Sequence, residues 1–242
     1  MDSNHREYKH VDSFARIDEI LEQPSTNFEE KKSLPDRDTL TYTNGFYAYC
    51  SALFVDIRDS SELPSIYNRP ALAKLYRAFI SEMVSIMNGN STAREINIVG
   101  DCVWGVFNTP SKPDIDAVFS MAAQANSLMK VLNYKLLKKN YQTPIRVGIG
   151  MSYGRALMIK AGASGSGIAD VVYMGDVVNQ ASKLAAAAGG AKVGAPLAMD
   201  GVFRQNLNES NTKLTTYNTT HTLYTANAVN IAMNDWYEAN CT

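Results

Sequence analysis

The chain has 242 residues, of which 45% are hydrophobic and 19% are charged, as is typical of a globular protein that buries a full core. Its formal net charge of −1 gives no indication of a nucleic-acid-binding surface. Three cysteines without paired or metal-ligand spacing indicate a reducing compartment, and no apolar run reaches membrane-spanning length, so we expect a cytoplasmic protein that does not contact the membrane.

Residues 1–45 predict an N-terminal extension that leads into a domain over residues 46–242. The extension is turn-rich and mixed in charge, and prolines interrupt its second half. One short amphipathic stretch stands out, formed by Phe14, Ile17, Ile20 and Leu21. No motif in the extension indicates a role.

The domain begins with a strand, a helix and a strand pair. Residues 46–56 predict a buried strand, because nearly every position is apolar. Pro70 then begins a helix whose apolar residues recur every three or four positions until Gly89. Two strand-like runs follow, at 93–99 and 102–107, separated by only two residues, which is a hairpin signal.

The second half of the domain predicts a helix, further strands and another helix. Pro113 opens the long helix, which carries an apolar stripe up to Leu136. A strand follows at 145–151, and a second strand begins after Gly154. A glycine-rich loop at 162–167 leads to a short strand at 171–173 and a helix at 176–188. A tail of short strands and turns begins at about Lys192. This order predicts an α+β fold with helices packed on one face of a mainly antiparallel sheet.

Two carboxylates stand where predicted strands end. Asp56 ends the first strand, and Asp101 lies in the hairpin turn after Gly100, where aspartate also occurs for purely local reasons. Mn²⁺ and Mg²⁺ prefer carboxylate and carbonyl oxygens, and the Ile57 carbonyl lies within reach of the same place. Two ions held there could activate an attacking oxygen and neutralise a leaving phosphate. We therefore predict a metal site formed by Asp56, Ile57 and Asp101.

The loop after Asp56 and a later helix carry the other polar candidates. The loop offers backbone N–H groups, two hydroxyls and a guanidinium to a phosphate, although an ordinary capped loop has the same composition. Its candidate residues are Ile57, Arg58, Asp59, Ser60 and Ser61. Asn179 and Lys183 share one helix face, where they could orient a ribose and neutralise a transferred phosphoryl group. A solvated helix face explains that pair equally well.

Four motifs together resemble the catalytic domain of class III nucleotidyl cyclases: FVDIRDSS, NIVGD, RVGIGMSYGRAL and VVYMGDVVNQASKL. The resemblance runs from Phe46 to at least Gly190. It implies the ferredoxin-like βααββαβ fold and a nucleoside triphosphate substrate. It also implies a homodimer with its active sites between the two subunits.

The same resemblance implies a role for each candidate residue. Asp56 and Asp101 would bind the metal ions, with the Ile57 carbonyl as an added ligand. Asn179 would position the ribose, and Lys183 would stand where an arginine that stabilises the transition state is usual. Lysine lacks the planar fork of arginine and acts as a point charge.

The base-reading positions differ from the adenylate cyclase pattern. Asn97 stands where adenylate cyclases typically carry a lysine, and Val172 stands where they carry an aspartate, so adenine specificity is not expected. The Asn97 amide both donates and accepts hydrogen bonds, and it can pair with uracil or cytosine. Phe54, Tyr49 or Phe46 could fill the space that a pyrimidine leaves in a purine-sized pocket, although core packing explains these rings more simply.

With these differences, the chain resembles the pyrimidine cyclases of Pycsar antiphage defence. That resemblance implies synthesis of cyclic UMP or cyclic CMP, which activates a separate effector protein. We favour UTP over CTP, although Asn97 does not discriminate between them. An adenylate or guanylate cyclase with unorthodox base contacts is one alternative. A non-catalytic nucleotide sensor is another, and the intact Asp56, Asp101 and Asn179 argue against it.

Overall fold

The computed structural model describes residues 4–164, 167–191 and 193–241. The strands in these residues are β1 (Phe28–Glu30), β2 (Gly45–Ile57), β3 (Ala93–Val99), β4 (Cys102–Phe107), β5 (Val147–Ala163), β6 (Ile168–Met174), β7 (Leu197–Met199), β8 (Thr215–Asn218) and β9 (Leu223–Ala226). The α-helices are α1 (His10–Leu21), α2 (Leu63–Ile66), α3 (Arg69–Asn88), α4 (Lys112–Leu137), α5 (Asp176–Ala187), α6 (Gly201–Gln205), α7 (Glu209–Lys213) and α8 (Ile231–Asn240).

The strands form one mixed sheet in which most neighbours are antiparallel. Its order is β3-β4-β2-β5-β7-β9-β8, with β1 beside β2 and β6 beside β5. Only the β1–β2 and β5–β7 pairs are parallel among the described strands. The segment from β2 to β5 has the succession βααββαβ, so the predicted α+β class and its ferredoxin-like order are confirmed.

The helices cover both faces of the sheet, which corrects the expectation that they pack on one face. Helices α3 and α4 pack on the face that carries Leu53 and Val55 of β2. Helix α5 packs on the opposite face, against Ala52 and Phe54. Strand alternation divides β2 between these two cores, because successive side chains point to opposite sides.

Two glycines of β5 allow α5 to approach the sheet closely. A Cβ atom added at Gly148 would lie 2.1 Å from the Ala185 carbonyl oxygen, and one at Gly150 would lie 2.1 Å from the Ala181 carbonyl oxygen. No side chain fits in that space, because backbone atoms cannot move aside as a flexible side chain does. The alternating glycines therefore determine where α5 lies.

Strand β5 is one continuous strand, whereas the sequence predicted two strands separated near Gly154. Its pairing with β2 runs without interruption from Val147 to Ile159, and Gly154 faces Cys50 within that ladder. Glycine in a strand interior marks a close approach rather than a break here, because Val177 of α5 lies above Gly154. Part of the predicted glycine-rich loop, residues 165 and 166, lies outside the described residues, as does Lys192.

The predicted N-terminal extension contains both an exposed helix and residues that pack on the sheet. Helix α1 coincides with the predicted amphipathic stretch, and none of its residues is buried. Strand β1 adds a parallel strand to β2, and Leu34 and Leu40 are buried in the core beneath α5. None of the described helices is long and apolar enough to span a membrane.

Candidate active site

The two predicted metal-binding carboxylates converge at one end of β2. Asp56 is the penultimate residue of β2, and its cross-strand partner on β4 is Cys102. Asp101 immediately precedes Cys102, in a turn where Gly100 adopts a φ of 62° that favours glycine. Burial, reinforced by the carboxylates of Asp56 and Asp101, raises the pKa of the Cys102 thiol to about 12. Both carboxylates therefore lie beside the same residue.

The environment of these carboxylates suits a cation. Burial raises the pKa of the Asp56 carboxyl, the Arg58 guanidinium opposes that increase, and the Asp101 carboxylate adds to it. Oxygen Oδ2 of Asp101 is buried and has no hydrogen-bond partner in the described part of the chain. Buried acceptors without a partner are costly, and a bound cation would satisfy this one. The residues present therefore fit a divalent metal ion.

The protein supplies only part of a metal coordination shell. Within residues 4–164, 167–191 and 193–241, no group of three or more His, Cys, Asp or Glu side chains could hold a metal ion. Two carboxylates and the Ile57 carbonyl would leave several positions of an octahedral ion open. Oxygens of a bound triphosphate can fill such positions, as in other sites where Mg²⁺ is shared between carboxylates and a nucleotide.

The predicted phosphate loop turns sharply beside Asp56. Asp59 adopts the left-handed conformation with a φ of 57°, and one 3₁₀ turn from Ser60 to Glu62 leads into α2. The Asp59 carboxylate accepts a hydrogen bond of 2.8 Å from Arg146. The side chain of Arg58 donates to Asp56 and, at 2.8 Å, to the main-chain carbonyl of Ala186. Arg58 therefore joins the end of β2 to the end of α5.

Three side chains form a row across β2, β4 and β3, next to the carboxylates. Phe54 is the cross-strand partner of Trp104, and Trp104 is the partner of Asn97. The two rings stack with centroids 5.0 Å apart and an interplanar angle of 4°. Cross-strand partners share a face of the sheet, and Phe54 shares that face with Asp56 two residues later. The predicted base-reading amide therefore lies beside an aromatic stack.

The other two aromatic candidates on β2 cannot fill a pocket at this place. Tyr49 points to the opposite face of the sheet, where its ring lies 5.8 Å from that of Tyr153. Phe46 shares the face of Phe54 but lies eight residues away, which is about 26 Å along a strand. Of the three rings that the sequence suggested, only Phe54 lies next to the carboxylates.

The predicted catalytic residues of α5 lie on its exposed side. Asn179 and Lys183 are both exposed, because Val177 and Ala181 occupy the side of the helix that packs on the sheet. Neither residue makes a hydrogen bond or an ion pair within the described residues. The described chain therefore brings Asp56, Asp101 and the loop together, whereas Asn179 and Lys183 form no hydrogen bond or ion pair with them there.

Sequence reasoning missed Trp104. Its position follows from the hairpin itself, because a two-residue turn at Gly100-Asp101 pairs Val99 with Cys102 and Asn97 with Trp104. Counting outward from that turn would have placed the indole opposite the base-reading amide.

The fold is that of a class III nucleotidyl cyclase domain. The family described as the adenylate and guanylate cyclase catalytic domain matches residues 44–217, and the chain belongs to this family. Domains of this class act on nucleoside triphosphates, generally use divalent metal ions and often dimerise.

Individual relatives are similar over most of the chain. A protein of Gulbenkiania mobilis named uridylate cyclase is 49% identical over 191 residues, which cover 76% of this chain and 73% of that protein. A protein of Treponema porcinum with the same name is 37% identical over 233 residues, which cover 95% of this chain and 80% of that protein. The crystal structure of the adenylyl cyclase CyaB from P. aeruginosa shares the fold, with a TM-score of 0.61, 24% identity and coverage of 72% of this chain and 85% of that one.

Proposed function

We propose that the chain is a pyrimidine nucleotide cyclase that converts UTP to 3′,5′-cyclic UMP and pyrophosphate. The observation that carries this proposal is Asn97, which lies beside the Phe54–Trp104 stack where adenylate cyclases have a lysine. An amide presents a donor and an acceptor to the edge of a pyrimidine. Similarity to two proteins named uridylate cyclase supports UTP as the substrate.

The proposed reaction is an intramolecular displacement. The ribose 3′-hydroxyl releases its proton to water, and its oxygen forms a bond to the α-phosphorus as the bond to pyrophosphate breaks. Asp56, Asp101 and the Ile57 carbonyl would hold two Mn²⁺ or Mg²⁺ ions, which lower the pKa of the 3′-hydroxyl and neutralise the leaving group. The loop from Ile57 to Ser61 would hold the phosphates through its N–H groups and hydroxyls.

The proposal includes a homodimer in which a second copy completes each site. Asn179 and Lys183 are exposed, so those of the second copy could reach the substrate. The Asn179 amide would then contact the ribose, and the Lys183 ammonium would contact the transferred phosphoryl group. Val99 at the hairpin and Met174 on β6 are exposed apolar residues, which suits a surface that another subunit covers. A separate effector protein would then bind the cyclic nucleotide, as the resemblance to antiphage cyclases implies.

Turnover of the four nucleoside triphosphates tests the substrate. The purified protein is incubated with Mn²⁺ and ATP, GTP, CTP or UTP, and pyrophosphate and cyclic nucleotide are measured separately. We expect cyclic UMP and pyrophosphate in equal amounts from UTP. Turnover of CTP alone would make the chain a cytidylate cyclase, and turnover of a purine alone would overturn the proposal. Binding without any turnover would instead favour a nucleotide sensor.

A substitution at Asp101 tests the metal assignment in the same assay. Asp101→Asn keeps the size of the side chain but removes the charge that the cation requires, so we expect activity to fall by at least about 100-fold. Asp235→Asn removes an exposed carboxylate on α8 and should keep wild-type activity. Retained activity in Asp101→Asn would show that this carboxylate does not hold the metal.

A further inference from the structure

The segment between β1 and β2 is held firmly on the sheet. Leu34 is 2% exposed and Leu40 is 4% exposed, and both belong to the core beneath α5. The Leu34 main-chain N–H donates a hydrogen bond of 2.9 Å to Asn108, just after β4. Most of this segment precedes residue 44, where the match to the cyclase family begins. The segment therefore lies outside most of the family match, yet it is packed at a fixed position on the sheet.

Arg37 of this segment bridges two strands that are not neighbours in the sheet. Its guanidinium donates to the Glu95 carboxylate of β3 at 3.0 Å and to the Asp170 carboxylate of β6 at 2.8 Å. Strands β4, β2 and β5 separate β3 from β6 in the sheet order. The sheet therefore bends enough to bring β3 and β6 within reach of one side chain.

Both partners of Arg37 lie beside the base-reading positions. Glu95 is two residues before Asn97, and Asp170 is two residues before Val172. Residues two apart on a strand share a face, so each carboxylate lies on the same side of its strand as the base-reading residue. The bridge thus links the two strands that carry the predicted contacts to the base.

The two carboxylates need the cation between them. Burial raises the pKa of the Glu95 carboxyl, the Arg37 guanidinium opposes this increase, and the Asp170 carboxylate adds to it. The Glu95 side chain is only 12% exposed, so its repulsion with Asp170 is poorly screened. Without Arg37, the repulsion would push β3 and β6 apart.

We propose that Arg37 is a positioning residue for base recognition. By bridging Glu95 and Asp170, it fixes the separation of Asn97 and Val172. This inference rests on the proposed function, because it assigns a part of the same nucleotide site. Arg37 acts on the base end of the substrate, whereas Asp56 and Asp101 act on its phosphates. Its loss should therefore weaken nucleotide binding and base selection more than the chemical step.

The Arg37→Gln variant tests this division. We expect the KM for UTP to rise about tenfold while kcat changes by less than about threefold, with a fall in the preference for UTP over the other nucleotides. Arg37→Lys keeps the positive charge without the planar fork, so its KM for UTP should lie between those of the wild type and Arg37→Gln. Adding Glu95→Gln to Arg37→Gln removes the repulsion and should lower the KM again.

A matched control separates positioning from simple attachment of the segment. Arg155 also binds this region, because it pairs with Glu30 of β1 at 2.6 Å, but its side chain forms no hydrogen bond or ion pair with the described residues of β3 or β6. Arg155→Gln should leave the KM and the base preference unchanged. If both variants lower thermal stability equally and neither changes KM or base preference, Arg37 is only a structural attachment and the inference is wrong.

The same experiment distinguishes this inference from the proposed function. Failure of the wild-type chain to turn over UTP would overturn the function alone. Equilibrium binding of ATP, GTP, CTP and UTP to wild type and Arg37→Gln then tests the inference directly. Equal affinities and equal base preference in the two proteins would overturn it, and weaker or less selective binding by Arg37→Gln would support it.

Discussion

At the scale of single residues, the row formed by Phe54, Trp104 and Asn97 is the most informative part of the site. The stacked rings leave little freedom for the side chains on this face, because each ring is held by its neighbour and by the strand beneath it. The Asn97 amide at the end of the row therefore lies next to an ordered aromatic ring. A base that meets Asn97 would therefore also lie beside the indole of Trp104.

Trp104 should restrict the size of the base. Replacing it with alanine removes the indole beside Asn97, so we expect the ratio of kcat/KM for UTP to that for ATP or GTP to fall by about tenfold or more. Trp104→Phe keeps a stacking ring and should retain most of the selectivity. The matched control is Trp236→Ala, which removes an exposed indole on α8. Unchanged selectivity in Trp104→Ala, with the fold retained, would contradict this role.

At the scale of secondary-structure elements, the position of α5 on β5 connects the fold to the site. Gly148 of β5 is the cross-strand partner of Asp56 and packs against Ala185, so the C-terminal end of α5 lies near Asp56. The Ala186 carbonyl near the end of α5 accepts a hydrogen bond from Arg58, which also contacts Asp56. A shift of this helix would therefore move Asn179 and Lys183 and disturb Arg58 at the same time.

Gly150→Ala should displace α5. The new Cβ would lie 2.1 Å from the Ala181 carbonyl oxygen, and overpacking of this kind costs about 1–3 kcal/mol. We expect the Tm to fall by roughly 2–10 °C for a chain of this size, with a larger loss of kcat than of nucleotide binding. Gly194→Ala is the control, because a Cβ there meets no atom within 4 Å. An unchanged Tm and kcat for Gly150→Ala would show that the close packing is not needed.

At the scale of the whole molecule, the described chain holds the residues of the proposed site in two groups. The carboxylates and the phosphate loop lie together at the end of β2, whereas Asn179 and Lys183 are exposed on the outer side of α5. Closed twofold symmetry lets each copy of a chain contribute different residues to two equivalent sites. The division therefore explains why members of this family would function as dimers.

Mixing two inactive variants tests whether the site is shared. Asp101→Asn damages the carboxylate part and Asn179→Ala damages the helix part, and random exchange of subunits produces one intact site in each mixed dimer. We expect the equal mixture to regain about a quarter of the wild-type activity. A mixture of Asp56→Asn and Asp101→Asn should stay inactive, because both variants damage the same half of a site. No recovery in the first mixture would place Asp101 and Asn179 in the site of one subunit.

Local signals predicted much of the fold and part of the site. The apolar run before Asp56 and the two-residue turn at Gly100-Asp101 depend only on neighbouring residues, and both elements lie where the sequence placed them. The prediction that a strand ends near Gly154 was wrong, because the glycine makes room for Val177 and the strand continues. That contact joins distant parts of the chain, so no local pattern reveals it.

The sequence by itself determined the order of the long elements from β2 to α4, the two carboxylates at strand ends and the spacing of Asn179 and Lys183, since strand and helix periodicity are properties of adjacent residues. The tail was predicted to hold only short strands and turns, and that prediction was wrong, because helices α6, α7 and α8 lie there. The tertiary structure alone decided that α5 covers the opposite face from α3 and α4, and that Arg37 joins β3 to β6. The physical reason is separation along the chain. Arg37 is 58 residues from Glu95 and 133 from Asp170, and contacts over such distances depend on how the whole sheet bends.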